Sequence, residues 1–135
     1  MELSRLVSRV AELEQRKPIR VVGGPDVMLE VDADQIEQLL INLVRNAVDA
    51  TIDLQARVSL EWDVVDSRVR VRVEDEGPGL SNTANLFVPF FTTKPGGSGI
   101  GLVLCRQIAE AHGGTITLEN RVPGPGCRAE LTLPL

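Results

Sequence analysis

Two runs of strict alternation constrain this chain more than any other feature. In residues 58–65, Val58, Leu60, Trp62 and Val64 alternate with Ser59, Glu61 and Asp63; in residues 68–76, Val69, Val71 and Val73 alternate with Arg68, Arg70 and Arg72. A period of two marks a half-buried strand. A tight turn at Asp66-Ser67 pairs Val64 with Val69 and Trp62 with Val71 on one face. The same register sets Asp63 against Arg70 and Glu61 against Arg72 on the other, where opposite charges attract. A slip of one residue would invert both faces, so the hairpin is predicted together with its register. That register carries the inward series Val69, Val71, Val73 on to Asp75. A carboxylate on the core face is costly unless donors reach it. Gly77-Pro78-Gly79, directly after it, frees the backbone for a turn and for close approach of another group. Asp75 reads as an acceptor at the rim of a pocket, with a strand-end aspartate turned to solvent as the plain alternative.

The elements around the hairpin follow from spacing. Leu3, Leu6, Val10 and Leu13 recur at helical intervals and Pro18 closes the segment, which predicts an amphipathic helix packed on its own domain. Residues 19–22 and 27–31 read as short strands around Gly23-Gly24-Pro25. Asp32, with Gln35 three residues on, is a capping-box pattern that opens a helix running to about Thr51. Ile36, Leu39, Leu40, Leu43, Ala47 and Ala50 form its apolar stripe, flanked by Gln35, Gln38, Asn42, Asn46 and Asp49. Asparagine is a mediocre helix former, so two of them four apart ask for a reason; a solvated polar face explains the stripe equally well at this level. Residues 100–112 read as a helix stopped by Gly113-Gly114, and residues 115–119 and 128–133 as two closing strands.

Composition bounds the function. One α/β domain over residues 1–135 suits 135 residues with 43% apolar content. A net charge of −5 argues against nucleic acid or an anionic membrane as the main partner. No apolar run approaches the roughly 18 residues of a membrane span, and a cytoplasmic location is expected. Cys105 and Cys127 fit neither a metal motif nor a disulfide framework and read as buried thiols of a reducing compartment. All three phenylalanines fall between Phe87 and Phe91, six of the twelve glycines between Gly77 and Gly101, and Lys94 is the one charged side chain between Glu76 and Arg106. Such a loop suits an anion-binding lid over residues 77–99, or else a flexible surface loop with an apolar anchor. Gly97, Gly99 and Gly101 lead into the N-terminus of the following helix, where free N–H groups and the dipole favour phosphate. The dinucleotide fingerprint is not matched, since these glycines follow a long loop.

In order, the chain carries Asn42-Leu43-Val44-Arg45-Asn46-Ala47-Val48-Asp49-Ala50, then Asp75-Glu76-Gly77-Pro78-Gly79, then Leu86-Phe87-Val88-Pro89-Phe90-Phe91-Thr92-Thr93-Lys94, then Gly97-Ser98-Gly99-Ile100-Gly101-Leu102. These resemble the N box, first glycine box, F box and second glycine box of the GHKL ATP-binding fold. The closest likeness is to the catalytic domain of bacterial sensor histidine kinases of the nitrogen-regulation and oxygen-sensing group. The resemblance covers the chain from about Val31. It implies a Bergerat-type two-layer sandwich, with a mixed, largely antiparallel sheet and about three helices. It implies Mg·ATP binding and transfer of the γ-phosphate to a histidine on a separate dimerisation domain, with a response regulator downstream.

By the same resemblance, Asp75 accepts the exocyclic amine of adenine, and Gly77 and Gly79 let the base and the lid backbone come close. Asn46 ligates Mg²⁺ and, with Lys94, is catalytic. Asn42, Arg45, Lys94, Gly97, Gly99, Gly101 and Leu102 complete the nucleotide site, and Thr132 binds adenine through water. Two departures stand out. Asp49 replaces a lysine common in the family, whose phosphate role then passes to Arg45 or Lys94 or is absent. Asn42 replaces the glutamate base of the gyrase-type relatives, and an amide cannot take a proton from water, so fast hydrolysis is not expected. The lone histidine, His112, ends a helix where a cation favours the dipole and is not expected to be the acceptor. The chain thus reads as a monomeric catalytic domain without its acceptor, with no direct membrane contact. A serine kinase that binds a sigma factor, or a non-catalytic nucleotide-binding interaction module, are the other readings.

Overall fold

The computed structural model describes residues 2–51, 57–76, 100–120 and 126–135. Their elements are α1 (Leu3–Leu13), β1 (Ile19–Gly23), α2 (Ala33–Thr51), β2 (Val58–Val65), β3 (Arg68–Asp75), α3 (Ile100–Ala111), β4 (Thr115–Asn120) and β5 (Cys127–Pro134). One sheet runs β1-β2-β3-β5-β4. β1 lies parallel to β2 and every other pairing is antiparallel. The three helices pack on one face of it, which is the two-layer, mixed architecture expected.

The hairpin has the register its alternation demands: Val64 opposite Val69, Asp63 opposite Arg70, Trp62 opposite Val71 and Glu61 opposite Arg72. Asp66 and Ser67 turn the chain with φ of 52° and 61°, the paired left-handed conformation whose twist matches that of the flanking strands. On the outer face Arg70 meets Asp63 at 2.9 Å and Arg72 meets Glu61 at 3.2 Å. Arg72 also reaches diagonally to Asp63 at 3.0 Å. The two guanidiniums, Arg70 above all, hold the Asp63 carboxyl below the usual carboxylate range. On the inner face Leu60, Trp62, Val69, Val71 and Val73 join Leu131 and Leu133 of β5 in the core.

Leu3, Leu6, Val7 and Val10 bury the inner face of α1, whereas Leu13, expected inside, is 54% exposed at the helix end. Residues 27–31 are not a strand. Their alternation survives, with Val27 and Leu29 buried and Met28 exposed, but among the described residues they join no ladder and make an isolated bridge from Met28 to Glu2. Val27 instead accepts a hydrogen bond from the Leu3 amide at 3.0 Å, so the segment anchors the start of α1 and not a ladder. Gly24 permits the bend before it, because a Cβ there would lie 2.2 Å from the Trp62 carbonyl oxygen.

The cap of α2 forms in part as expected. Asp32 Oδ1 accepts from the Gln35 amide at 3.1 Å. The reciprocal arm differs: the Asp32 amide donates to His112 Nε2 at 3.2 Å. His112 Nδ1 stands 2.9 Å from the Ile108 carbonyl, which can only accept, so Nδ1 carries the proton and Nε2 the lone pair. His112 therefore acts as a strut that ties the end of α3 to the start of α2. Gly113, at φ +74°, and Gly114 close α3, with the Gly114 amide bonding the Ala109 carbonyl at 2.8 Å.

Candidate functional site

The α2 polar stripe is a shoulder of the buried face. At about 100° per residue, Arg45, Asp49, Asn42 and Asn46 fall in one sector of roughly 100°, beside Leu39 and Leu43. Asn42 and Asn46 are half-buried and Arg45 is exposed. The amide of Asn42 reaches the Cys105 thiol, whose Sγ also donates to the Leu39 carbonyl at 3.6 Å. Burial pushes that thiol up to about 12.

These contacts orient α3. Cys105 sits at Leu39 and His112 at Asp32, so seven residues forward on one helix match seven backward on the other. The helices are antiparallel, and the first turn of α3, with Gly101 and the half-buried Leu102, lies level with residues 42–44 of α2. Gly114, past the end of α3, lies against Thr132 and Leu133, so the start of α3 points toward the other end of β5, where Cys127 pairs with Asp75 and Asp75 in turn pairs with Val58. The end of α2, the start of α3 and the end of β3 thereby meet at one end of the sandwich.

Asp75 is the last residue of β3 and is 5% exposed on the otherwise apolar inner face. The strand end behind it is closed by the Glu76 amide on the Arg57 carbonyl at 3.1 Å, and by the Arg57 amide on Glu76 Oε1 at 3.2 Å. Directly across from Asp75 on β5 stands Cys127, on the same face, and burial together with the Asp75 charge pushes its thiol up to about 12. Thr132 does not join this group. It pairs with Arg70, whose side chain is on the outer face, and its carbonyl borders Gly114 at the far end of α3. Thr132, expected to reach adenine through water, thus lies on the other face of the sheet from Asp75 and toward the other end of β5. Cys127 is the β5 residue beside Asp75, and no sequence signal short of the β3–β5 register could have selected it.

Asp49, in the same sector of α2, is met by the α1–β1 connection, where Arg16 Nη1 stands 2.7 Å from its Oδ1. Arg16 also grips Glu14 through Nε at 3.1 Å and Nη2 at 3.2 Å, which holds the Glu14 carboxyl below its ordinary range. Lys17 Nζ donates to the Thr51 carbonyl at 2.6 Å. A cleft of about 440 Å³ opens there, lined by Leu13, Glu14, Gln15, Arg16, Arg45 and Asp49. Sequence reasoning missed Arg16, whose partner on α2 is 33 residues away. Gly77, Gly79, Lys94, Gly97 and Gly99, and the expected lid over 77–99 with its phenylalanines, lie outside the described residues.

Comparison with known proteins bears on this arrangement. Residues 31–135 match the family model described as histidine kinase-, DNA gyrase B- and HSP90-like ATPase. The sensor protein FixL of Bradyrhizobium diazoefficiens is 42% identical over 144 residues, covering 98% of this chain and 28% of that protein. The signal transduction histidine-protein kinase AtoS of Escherichia coli is 37% identical over 110 residues, covering 79% of this chain and 18% of that protein. The chain therefore spans less than a third of the length of either relative. Among solved structures, the nucleotide-free catalytic domain of histidine kinase ThkA superposes with a TM-score of 0.86 at 35% identity, over 99% of this chain and 93% of that one. With a family match spanning all four ordered motifs and a fold shared with a kinase catalytic domain, the chain belongs to the histidine kinase-, DNA gyrase B- and HSP90-like ATPase family.

Proposed function

We propose that this chain is the catalytic domain of a sensor histidine kinase, which binds Mg·ATP and delivers the γ-phosphate to a histidine on a separate dimerisation domain. The observation that carries the reading is Asp75, a carboxylate 5% exposed on an apolar sheet face, at the end where the asparagine shoulder of α2 and the start of α3 converge. A buried acceptor-only group suits the exocyclic amine of adenine, and guanine presents an oxygen at that edge instead. The donor set fits the metal as well, since Mg²⁺ is held by few protein oxygens together with phosphate and water, and the half-buried Asn46 offers one amide oxygen.

Bound Mg·ATP supplies the transferable phosphoryl group; the chain's own residues bind and orient. Asp75 selects the base, with Gly77 and Gly79 giving the backbone room beside it. Asn46 orients the metal. Lys94 and the amides of Gly97, Gly99 and Gly101 hold the phosphates. The Asn42 amide cannot take a proton from water, which leaves water unactivated and favours transfer to a protein. His112 is engaged through both ring nitrogens, which supports an acceptor outside this chain. A response regulator would take the phosphoryl group in turn; the histidine kinase ThkA, 33% identical over 99% of this chain and 40% of that one, has been solved in complex with the response regulator protein TrrA. Among the described residues no helix is long and apolar enough to cross a membrane.

Calorimetric titration of the wild-type chain and Asp75→Asn with Mg·ATP and Mg·GTP tests the reading. The wild type should prefer ATP. The variant should lose about 30- to 100-fold in ATP affinity with an unchanged melting curve, because an amide donor then faces an amine donor. ATP affinity unchanged in a folded variant removes the adenine assignment.

A further inference from the structure

We propose that Arg16, locked in place by Glu14 and Asp49, faces the nucleotide phosphates and supplies from the α1–β1 connection the positive charge that Asp49 does not. The inference rests on the reading that the chain binds Mg·ATP with Asn46 at the metal.

Asp49 lies three residues after Asn46 on one sector of α2, and side chains so spaced have Cβ atoms about 5–6 Å apart. A guanidinium 2.7 Å from Asp49 is therefore carried to within one helical turn of Asn46. Ordinary surface pairs hold long side chains loosely. Arg16 is different, because its chief partner Glu14 has a side chain only 7% exposed, and two parallel bonds of 3.1 and 3.2 Å fix the plane of the fork. Glu14 and Asp49 engage three of the five guanidinium N–H donors, leaving one on each terminal nitrogen. The Arg16 side chain is 46% exposed, and with Arg45 it lines the cleft of about 440 Å³. A planar fork with free donors is suited to phosphate oxygens. Glu14 and Asp49 act as positioning residues: their charges set where the guanidinium stands and keep it ionised, as its raised pKa reflects.

The test is calorimetric titration of wild type, Arg16→Ala, Asp49→Lys and the double variant with Mg·ATP and, separately, adenosine. Arg16→Ala should weaken Mg·ATP about tenfold, the scale of one charge-assisted hydrogen bond, and leave adenosine within twofold. Asp49→Lys should restore Mg·ATP affinity in the Arg16→Ala background, since its ammonium then stands where the guanidinium stood. Equal losses for Mg·ATP and adenosine would mark Arg16 as structural and overturn the proposal, as would wild-type Mg·ATP affinity in a folded Arg16→Ala. If the wild type binds adenosine but gains nothing from Mg·ATP, the proposal fails while the base site stands. If it binds neither, the ATP reading itself fails, and this inference with it.

Discussion

At the scale of single residues, burial decides chemistry. Cys105 and Cys127 are both free, and both thiols are pushed from 9.0 up to about 12, chiefly by burial. The folded state thus keeps two protons that the unfolded chain releases near pH 9. Their contribution to stability is whole below that pH and is lost as pH rises toward 12. A thermal melt followed from pH 8 to 11 should fall steadily, and the Cys105→Ala variant should fall less steeply over the same range. At pH 8 a disulfide reagent should modify the native protein far more slowly than the denaturant-unfolded chain, because the thiolate is the reactive species. The inward aim of Asp75 was legible from period-two alternation alone. The presence of Cys127 beside it was not, since nothing local distinguishes residue 127 from its neighbours.

Elements show where local pattern suffices. The β2–β3 hairpin was legible down to its charge pairs, because turn, alternation and cross-strand attraction all act within eighteen residues. The α2 stripe likewise announced its buried face. The segment 27–31 misled, since alternation reports a half-buried extended chain and says nothing about whether a neighbouring strand is there to pair with. Gly114 is a further case. The sequence offers it as a helix stop, yet its stricter duty is to let β5 approach: a Cβ would stand 2.1 Å from the Thr132 carbonyl oxygen and 2.9 Å from a Leu133 methyl. Gly114→Ala should therefore destabilise by about 2–3 kcal/mol, the scale of overpacking in a dense core, read as a lowered denaturant midpoint at unchanged slope. Gly113→Ala meets only a Pro134 ring carbon at 3.6 Å, so its smaller loss would come from the left-handed φ of +74° alone.

On the scale of the whole molecule, the proposed function makes this chain half of a reaction. Incubated with γ-labelled Mg·ATP, it should bind nucleotide yet remain unlabelled, and His112→Ala should behave identically apart from about 1 kcal/mol lost with the Asp32 hydrogen bond. Label should appear only when a histidine-bearing dimerisation domain is supplied, and on that domain, as an acid-labile phosphohistidine. Label on the isolated wild-type chain that vanishes in His112→Ala would reverse the assignment of the acceptor.

What the sequence determined by itself is what short-range physics controls: the helical and alternating periods, the hairpin register, the inward carboxylate and the order of the four motifs. Each follows from backbone dihedrals and from neighbours a few residues away. Tertiary structure decided the rest. It set Arg16 on Asp49 across 33 residues and the Asp32 amide on His112 across 80. It put Cys127, and not Thr132, on the face and at the end of the sheet that Asp75 occupies. Those partners are chosen by which surfaces meet when three helices close over five strands, and a polar side chain carries no local mark of the group it will face once they do.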